Sequence, residues 1–469
     1  MSTRDQRLTL TAATLGSFVA LLDSTVVGVA LPAIGADLGG GLESQQWIVN
    51  AYLLALGSLI LIGGSLGDVF GERRVFVSGT AGFGIASAAC AAAPTAATLI
   101  AARGLQGVFA ALLTPASLAV IVAAFAPEER GRAIGTWTAF SGIAAVVGPL
   151  AGGWLVDSLS WRWIFGIVLP FVALTLVLAT RMPARAPGGA GRRPDWLGAG
   201  LCAFGLAGVS FGLVRQPGHG WADALVTGPL VAGAVLLALF VAWERRGARD
   251  PMLPLGLFRR PNFAWGNLET FCVYGALGLL FFVLVVFLQQ VAGYSALKAG
   301  AATIPTTLVM LLFSQRFGVL ADRFGPRRFM AAGPVIAAAG VAYLLAAVDR
   351  SPDLVVDVLP GMTLFAFGLA TLVTPLTTAV LADADEHNAG IASGVNNAVA
   401  RVAGLLATAA VGTIVGGTLD LTGLRTALVA AGALLLLGGL TGLWGIRDPT
   451  SSPAATVRPG ARSEARAEC

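Results

Sequence analysis

Apolar stretches of about 20 residues recur along nearly the whole chain, separated by short breaks that hold the charged residues, the prolines and many of the glycines. Reading the apolar windows between breaks predicts fourteen helices, centred near Val19, Leu56, Gly84, Leu112, Val146, Leu169, Leu206, Leu236, Leu279, Val309, Ala338, Phe367, Ala403 and Leu434. Each is long enough to cross a hydrocarbon core of about 30 Å, and a helix is the open-chain conformation that satisfies its own backbone there. The pattern therefore predicts an all-α, polytopic membrane protein.

The breaks differ in charge. Arg73/Arg74, Arg130/Arg132, Arg181 to Arg193, Arg245 to Arg260, Arg323 to Arg328 and the tail from Arg447 alternate with breaks that hold only Arg162, Arg215, Lys298, Arg350 and Arg425. Such asymmetry predicts both termini in the cytoplasm and an even number of spans, and the expected location of this multi-pass chain is the inner (plasma) membrane. Arg4 and Arg7 precede the first apolar run as they would in a signal peptide, but the run is long and carries Asp23, so it reads as an uncleaved first helix.

A segment of the chain repeats. Gly64-Ser-Leu-Gly-Asp68-Val-Phe-Gly71-Glu-Arg73-Arg74 recurs as Gly318-Val-Leu-Ala-Asp322-Arg-Phe-Gly325-Pro-Arg327-Arg328, every matching residue displaced by the same 254 positions. A six-helix half needs only about 200 residues, so roughly 50 should be an insertion between two halves. The expected organisation is an N-terminal six-helix bundle at 1–181, a linker and two inserted spans at 182–250, a C-terminal six-helix bundle at 251–447, and a polar, disordered tail at 448–469. The linker is the Pro/Gly/Arg-rich stretch Ala184 to Pro194.

Composition narrows the class. Of 469 residues 56% are apolar and 12% charged, with a mean hydropathy of +0.80, which excludes a soluble globular domain. The 61 glycines suit close helix approach in lipid. A net charge of +5 is spread over inter-helix clusters without a basic face, so nucleic acid is not expected as a partner. Cys90, Cys202, Cys272 and Cys469 have no paired spacing and read as neither disulfides nor ligands. Gly63-Gly-Ser65-Leu-Gly67 matches a hydrolase nucleophile pattern, but the two histidines, His219 and His387, fall in predicted loops, so a catalytic triad is not expected. No nucleotide-binding loop or zinc-spaced Cys/His set occurs, so neither an enzyme nor a cofactor is expected.

Four motifs in order carry a resemblance. Leu22-Asp23-Ser-Thr-Val-Val-Gly-Val-Ala-Leu-Pro32 lies in the first helix, and the Gly64 to Arg74 segment joins the second and third. Arg103-Gly-Leu-Gln106-Gly107 lies in the fourth, and Gly148-Pro149-Leu-Ala-Gly152-Gly153 in the fifth. From Leu8 to Arg447 the chain resembles the major facilitator superfamily, specifically its fourteen-helix drug:proton antiporters. The resemblance implies two bundles related by a pseudo-two-fold axis along the membrane normal, a substrate site between them, and proton-driven export of small amphipathic or lipophilic compounds by a monomer. The alternatives are a dedicated exporter of one metabolite, lipid or self-made antibiotic, a less favoured uptake symporter, and a non-transporting sensor or scaffold. The embedded charges argue against the last.

Individual residues have readings of their own. Asp23 lies mid-helix, where an acid costs about 2.5–3.5 kcal/mol, so it should face a polar cavity or a partner. Its functional reading is a proton carrier, the alternative a structural aspartate bonded to Ser24 or Thr25. For Arg103 the resemblance implies organisation of protonation, against a structural ion pair or snorkelling. Glu269 is the most deeply embedded acid of the second half, a second proton site or substrate counter-charge, against an acid near the cytoplasmic mouth. Gating falls to Gly64, Asp68, Gly71, Arg73, Arg74, Asp322 and Arg327; tight turns and charge anchors would also explain these residues. Gly148, Pro149, Gly152 and Gly153 should kink helix five, bring it close to its neighbours and seal the external side. Asn50, Gln106, Asn396 and Arg401 are candidates for the cavity wall.

Overall fold

The computed structural model describes residues 3–182, 194–248, 250–382 and 389–448, the side chains of Thr3, Asp68, Pro127, Ser141 and Ala389 excepted. Residues 183–193, which hold the expected linker up to Pro194, and residues 449–469, the expected tail after Asp448, lie outside the described residues.

Among the described residues fourteen helices are long and apolar enough to span a membrane, and each expected centre falls in one of them. They are α1 (Arg4–Leu38), α2 (Gly41–Gly67), α3 (Glu72–Ala91), α4 (Ala96–Ala124), α5 (Glu128–Ser158), α6 (Trp163–Thr180), α7 (Trp196–His219), α8 (Ala224–Arg246), α9 (Pro261–Gln290), α10 (Ala296–Phe324), α11 (Pro326–Ala347), α12 (Leu354–Ala382), α13 (Gly390–Val415) and α14 (Leu421–Gly445). Local chemistry sets their ends. Thr95 forms a capping box with Thr98 at the start of α4, and Asp195, Asp223, Ser295 and Asp420 each accept a backbone N–H from the first turn they precede. The repeated loops turn at Gly71 (φ 91°) and Gly325 (φ 84°), backbone that a side chain disfavours, so the matched glycines of the repeat are a steric requirement.

Helices α1–α6 pack among themselves, chiefly as α2 on α4, α3 on α4 and α1 on α5; α9–α14 do the same through α11 on α12, α9 on α14 and α10 on α12. Among the described residues the two groups meet chiefly at α2 with α13, at α5 with the start of α10, and at α1 with α9. Two spans that interrupt a repeat whose halves otherwise match are expected at the periphery, and the inserted pair is only partly so. α8 packs on α7 and leaves Val231, Val235 and Leu239 exposed, whereas α7 lies against both α2 and α13. There the Thr413 hydroxyl donates to the Leu213 carbonyl at 3.2 Å, Trp47 meets Phe211 at 6.0 Å between ring centres, and Arg215 pairs with Glu43 at 3.3 Å. The insertion thus covers the α2/α13 seam.

Candidate functional site

The polar core of the first half is built by α1, α3 and α4. Asp23 is fully enclosed, and its two oxygens have different partners: Oδ2 accepts from Arg103 Nη1 at 2.6 Å and Oδ1 from Gln106 Nε2 at 2.8 Å. Residues 103 and 106 lie one turn apart on α4, so both reach the same carboxylate. Gln106 also accepts from Arg103 at 2.5 Å and donates to the Ser87 hydroxyl of α3 at 2.8 Å. Arg103 Nε donates to the Ile48 carbonyl of α2 at 3.2 Å, and its guanidinium lies 4.3 Å from the centre of the Tyr52 ring. Both carboxylate oxygens are therefore hydrogen-bonded, which is a condition for holding an ion pair out of water. Ser24 and Thr25 donate to backbone carbonyls of their own helix, so they are not the partners of Asp23. Gln106, read from sequence as a cavity residue, lies instead in this enclosed core with no exposed surface.

The second half differs. Glu269 of α9 is fully buried, faces Gly438 of α14, and neither of its oxygens has a hydrogen-bond partner among the described residues. It begins the third turn of α9, about 12 Å along the helix from Pro261. On another face of α9, Asn396 of α13 donates to Asn267 at 3.2 Å and to the Thr270 hydroxyl at 2.8 Å. Arg401 is half-buried, donates to Asn397 at 3.3 Å, and packs by its Cβ against Gly57 of α2 across the seam. Asn50 of α2 is enclosed, with both amide atoms unpartnered among the described residues.

The repeated loops act within each half. Arg73 donates to the Ala179 and Thr180 carbonyls at the end of α6 (3.0 and 2.8 Å), and Arg327 donates to the Leu443 carbonyl at the end of α14 (2.8 Å). Matched arginines thus bond the last carbonyls of matched helix ends. These bonds tie neither half to the other. Gly64 has open space beside it, Arg74 and Asp322 are exposed, and the Asp68 side chain lies outside the described residues.

The Gly148-Pro149-Leu-Ala-Gly152-Gly153 segment faces two helices. A methyl group at Gly148 or Gly152 would crowd Thr25 or Val26 of α1, and one at Gly153 would come within 2.5 Å of the Leu297 backbone of α10. Because Pro149 lacks an N–H, the Ala145 carbonyl has no donor four residues on. Thr307 of α10 supplies one across the seam at 3.2 Å. Asp157, at the end of α5, accepts the backbone N–H groups of Ala296 and Leu297 at 2.9 Å each, capping α10 from the opposite half. Gln289 donates to the Val29 carbonyl at 2.9 Å, and Gln46 to the Thr408 and Ala409 carbonyls at 2.8 and 3.0 Å. All four contacts belong to the half of the structure remote from the termini. Nearer the termini, Phe140 and Ile143 of α5 and Leu312 and Val319 of α10 are exposed. Thr307, Asp157, Gln46 and Gln289 were not singled out from the sequence; the carbonyl that Pro149 must free was the one available signal, and it does not name its donor.

Residues 13–408 match the model of the Major Facilitator Superfamily. The chain is 37% identical to the puromycin resistance protein pur8 of Streptomyces alboniger, over 84% of this chain and 78% of that one. It is 35% identical to the multidrug resistance protein Stp of Mycobacterium tuberculosis (89% and 78%) and 34% identical to the methylenomycin A resistance protein of Streptomyces coelicolor (96% and 94%). Among solved structures, a peptide transporter POT in complex with sulfate matches with a TM-score of 0.69 at 15% identity, covering 93% of each chain, and the inward-open xylose transporter XylE of E. coli matches with 0.64 at 15%, covering 94% and 97%. At such identity these two establish the fold alone. Fold, helix count and sequence relatives agree: the chain belongs to the Major Facilitator Superfamily and is a multi-pass membrane transporter.

Proposed function

We propose that this transporter exports small amphipathic or lipophilic compounds in exchange for protons. Its relatives named for resistance to puromycin, methylenomycin A and multiple drugs support the substrate class. The observation that carries the coupling is the enclosed Asp23–Arg103 pair, a carboxylate whose protonation would dissolve an ion pair joining α1 to α4. Arg103 also holds the Ile48 carbonyl and lies against Tyr52, both on α2, which borders α13 at Gln46 and Gly57. A proton on Asp23 releases the guanidinium, and the change passes along α2 to the seam between the halves. Substrate and proton then favour different states of one two-state element, which is what exchange requires.

The arginine-rich loops, read as cytoplasmic, put the termini inside the cell and the four-contact seal outside. The conformation is then closed to the exterior, and substrate enters between the terminal halves of α5 and α10. Glu269 is a second proton site, and Asp68 and Asp322 act in gating. A membrane potential supplies about 2.3 kcal/mol per charge per 100 mV, enough for roughly a 50-fold gradient. The test is the purified chain in proteoliposomes with an imposed pH gradient and a panel of lipophilic cations and neutral antibiotics. Substrate accumulation that follows the gradient and collapses with a protonophore is expected; accumulation indifferent to the gradient would refute coupling.

A further inference from the structure

At the terminal end of α1 a groove of about 400 Å³ opens between α1 and α6, lined by Arg4, Arg7, Leu8, Thr11 and Leu178. Arg4 and Arg7 are three residues apart and share a helix face, and both are exposed. Neither has a carboxylate partner among the described residues. Gln6 donates to the Ala124 carbonyl and the Glu129 carboxylate, which engages that acid of α5 with Gln6 and not with either arginine. The natural alternative acceptors are the last carbonyls of α6, and Arg73 already occupies those of Ala179 and Thr180. Two guanidinium groups therefore present free donors to whatever enters.

Depth fixes the kind of occupant. The chain is polar from Thr3 to Arg7 and becomes apolar from Leu8, so the arginines lie at headgroup level and Leu8 and Leu178 in the hydrocarbon. From outside inwards along α1 the groove offers Arg4 and Arg7 and then Leu8, with Leu178 of α6 beside them and the Thr11 hydroxyl turned back onto the Arg7 carbonyl at 2.9 Å, so cations precede an aliphatic wall as headgroup precedes chain in a glycerophospholipid. Guanidinium forks match phosphate oxygens in pairs. We propose that this groove binds the phosphate headgroup of an anionic phospholipid, with an acyl chain along Leu8 and Leu178. The site is separate from the coupling pair and needs only that the chain lies in a membrane.

The purified full chain would be titrated with phosphatidylglycerol in a phosphatidylcholine background, and bound lipid counted by native mass spectrometry. At about 1 kcal/mol per arginine, Arg4→Gln with Arg7→Gln should weaken phosphatidylglycerol binding about 30-fold and leave phosphatidylcholine unchanged. Arg245→Gln with Arg246→Gln, an equal charge change elsewhere on the same face, should leave binding intact. Leu178→Trp, which fills the groove and keeps both charges, should also lose the lipid. Equal losses from the two arginine pairs, or full binding by Leu178→Trp, would overturn the proposal in favour of diffuse surface charge. Displacement of the lipid by inorganic phosphate at matching concentration would overturn the lipid as ligand and assign the site to a free anion.

Discussion

The two halves share a fold and a repeated loop but treat buried charge in opposite ways. In the first half Asp23 has its oxygens filled by Arg103 and Gln106, and those side chains in turn bond Ser87 and the α2 backbone. In the second, Glu269 is as deeply buried with no partner at all among the described residues. A satisfied pair is expensive to disrupt, because removing one member strands the other in a medium of low dielectric. A lone carboxyl costs the fold as long as it stays. One half thus carries its charge as structure that a proton can dissolve, and the other as a standing penalty that a fold without a use for Glu269 has no reason to keep.

The largest effect should come from breaking the satisfied side. Asp23→Asn keeps the shape but leaves Arg103 uncompensated, so pH-driven efflux should vanish and unfolding free energy should fall by roughly 3–5 kcal/mol. Adding Arg103→Gln should recover part of the stability and none of the efflux, as read by thermal unfolding and vesicle transport. Asp23→Asn with undiminished efflux would remove this pair from the mechanism.

Glu269→Leu should move stability the other way, a gain of about 1–3 kcal/mol, while reducing the proton release that accompanies substrate binding. A loss of stability would mean that the carboxyl has a partner, and the contrast between the halves would fall. Asp157→Ala should come next. Losing a cap of about 1–2 kcal/mol on α10 should shift the closed-to-open ratio some five- to thirty-fold, read from distances between spin labels at Leu159 and Lys298. Thr307→Val, one neutral hydrogen bond of about 1 kcal/mol, should shift the same ratio about five-fold. A shift from Thr307→Val that exceeds the Asp157→Ala shift would reverse this ranking of the seal.

Most of the fold was legible because each span announces itself by a length of apolar residues, and no tertiary contact is needed to read it. The match of Gly71 with Gly325 and of Arg73 with Arg327 was equally plain, since it rests on local sequence. The sequence asked for a polar cavity or a partner at Asp23 and offered Ser24 and Thr25 as the alternative, whereas the observed partners lie 80 and 83 residues away; nothing local distinguishes the two. The same limit hid Thr307 and Asp157, whose roles exist only where α5 meets α10. At Gln106 the polarity of the residue signalled a need for partners and did not say that Asp23, Arg103 and Ser87 supply them. The inserted spans look peripheral when a repeat is counted, yet α7 bridges α2 and α13, a placement that depends on packing alone.

Helix α5 touches its neighbours through Gly148 and Gly152 on one flank and Gly153 on another, and α10 answers with Gly300 against the Pro149 carbonyl. Where α5 meets α10, at Gly153 and Gly300, the apposed atoms are largely backbone, which carries no rotamers, so parting them frees few side chains. The seam behaves as a smooth bearing. Interlocked leucines would have to climb out of one set of holes and fall into the next at every cycle, adding friction to each turnover; glycine against backbone slides. In the exchange cycle proposed above, the pace at this joint would be governed by a few discrete catches, Thr307 and Asp157 among them, rather than by the area of the contact, and tightening or loosening one catch should change the pace without reshaping the path.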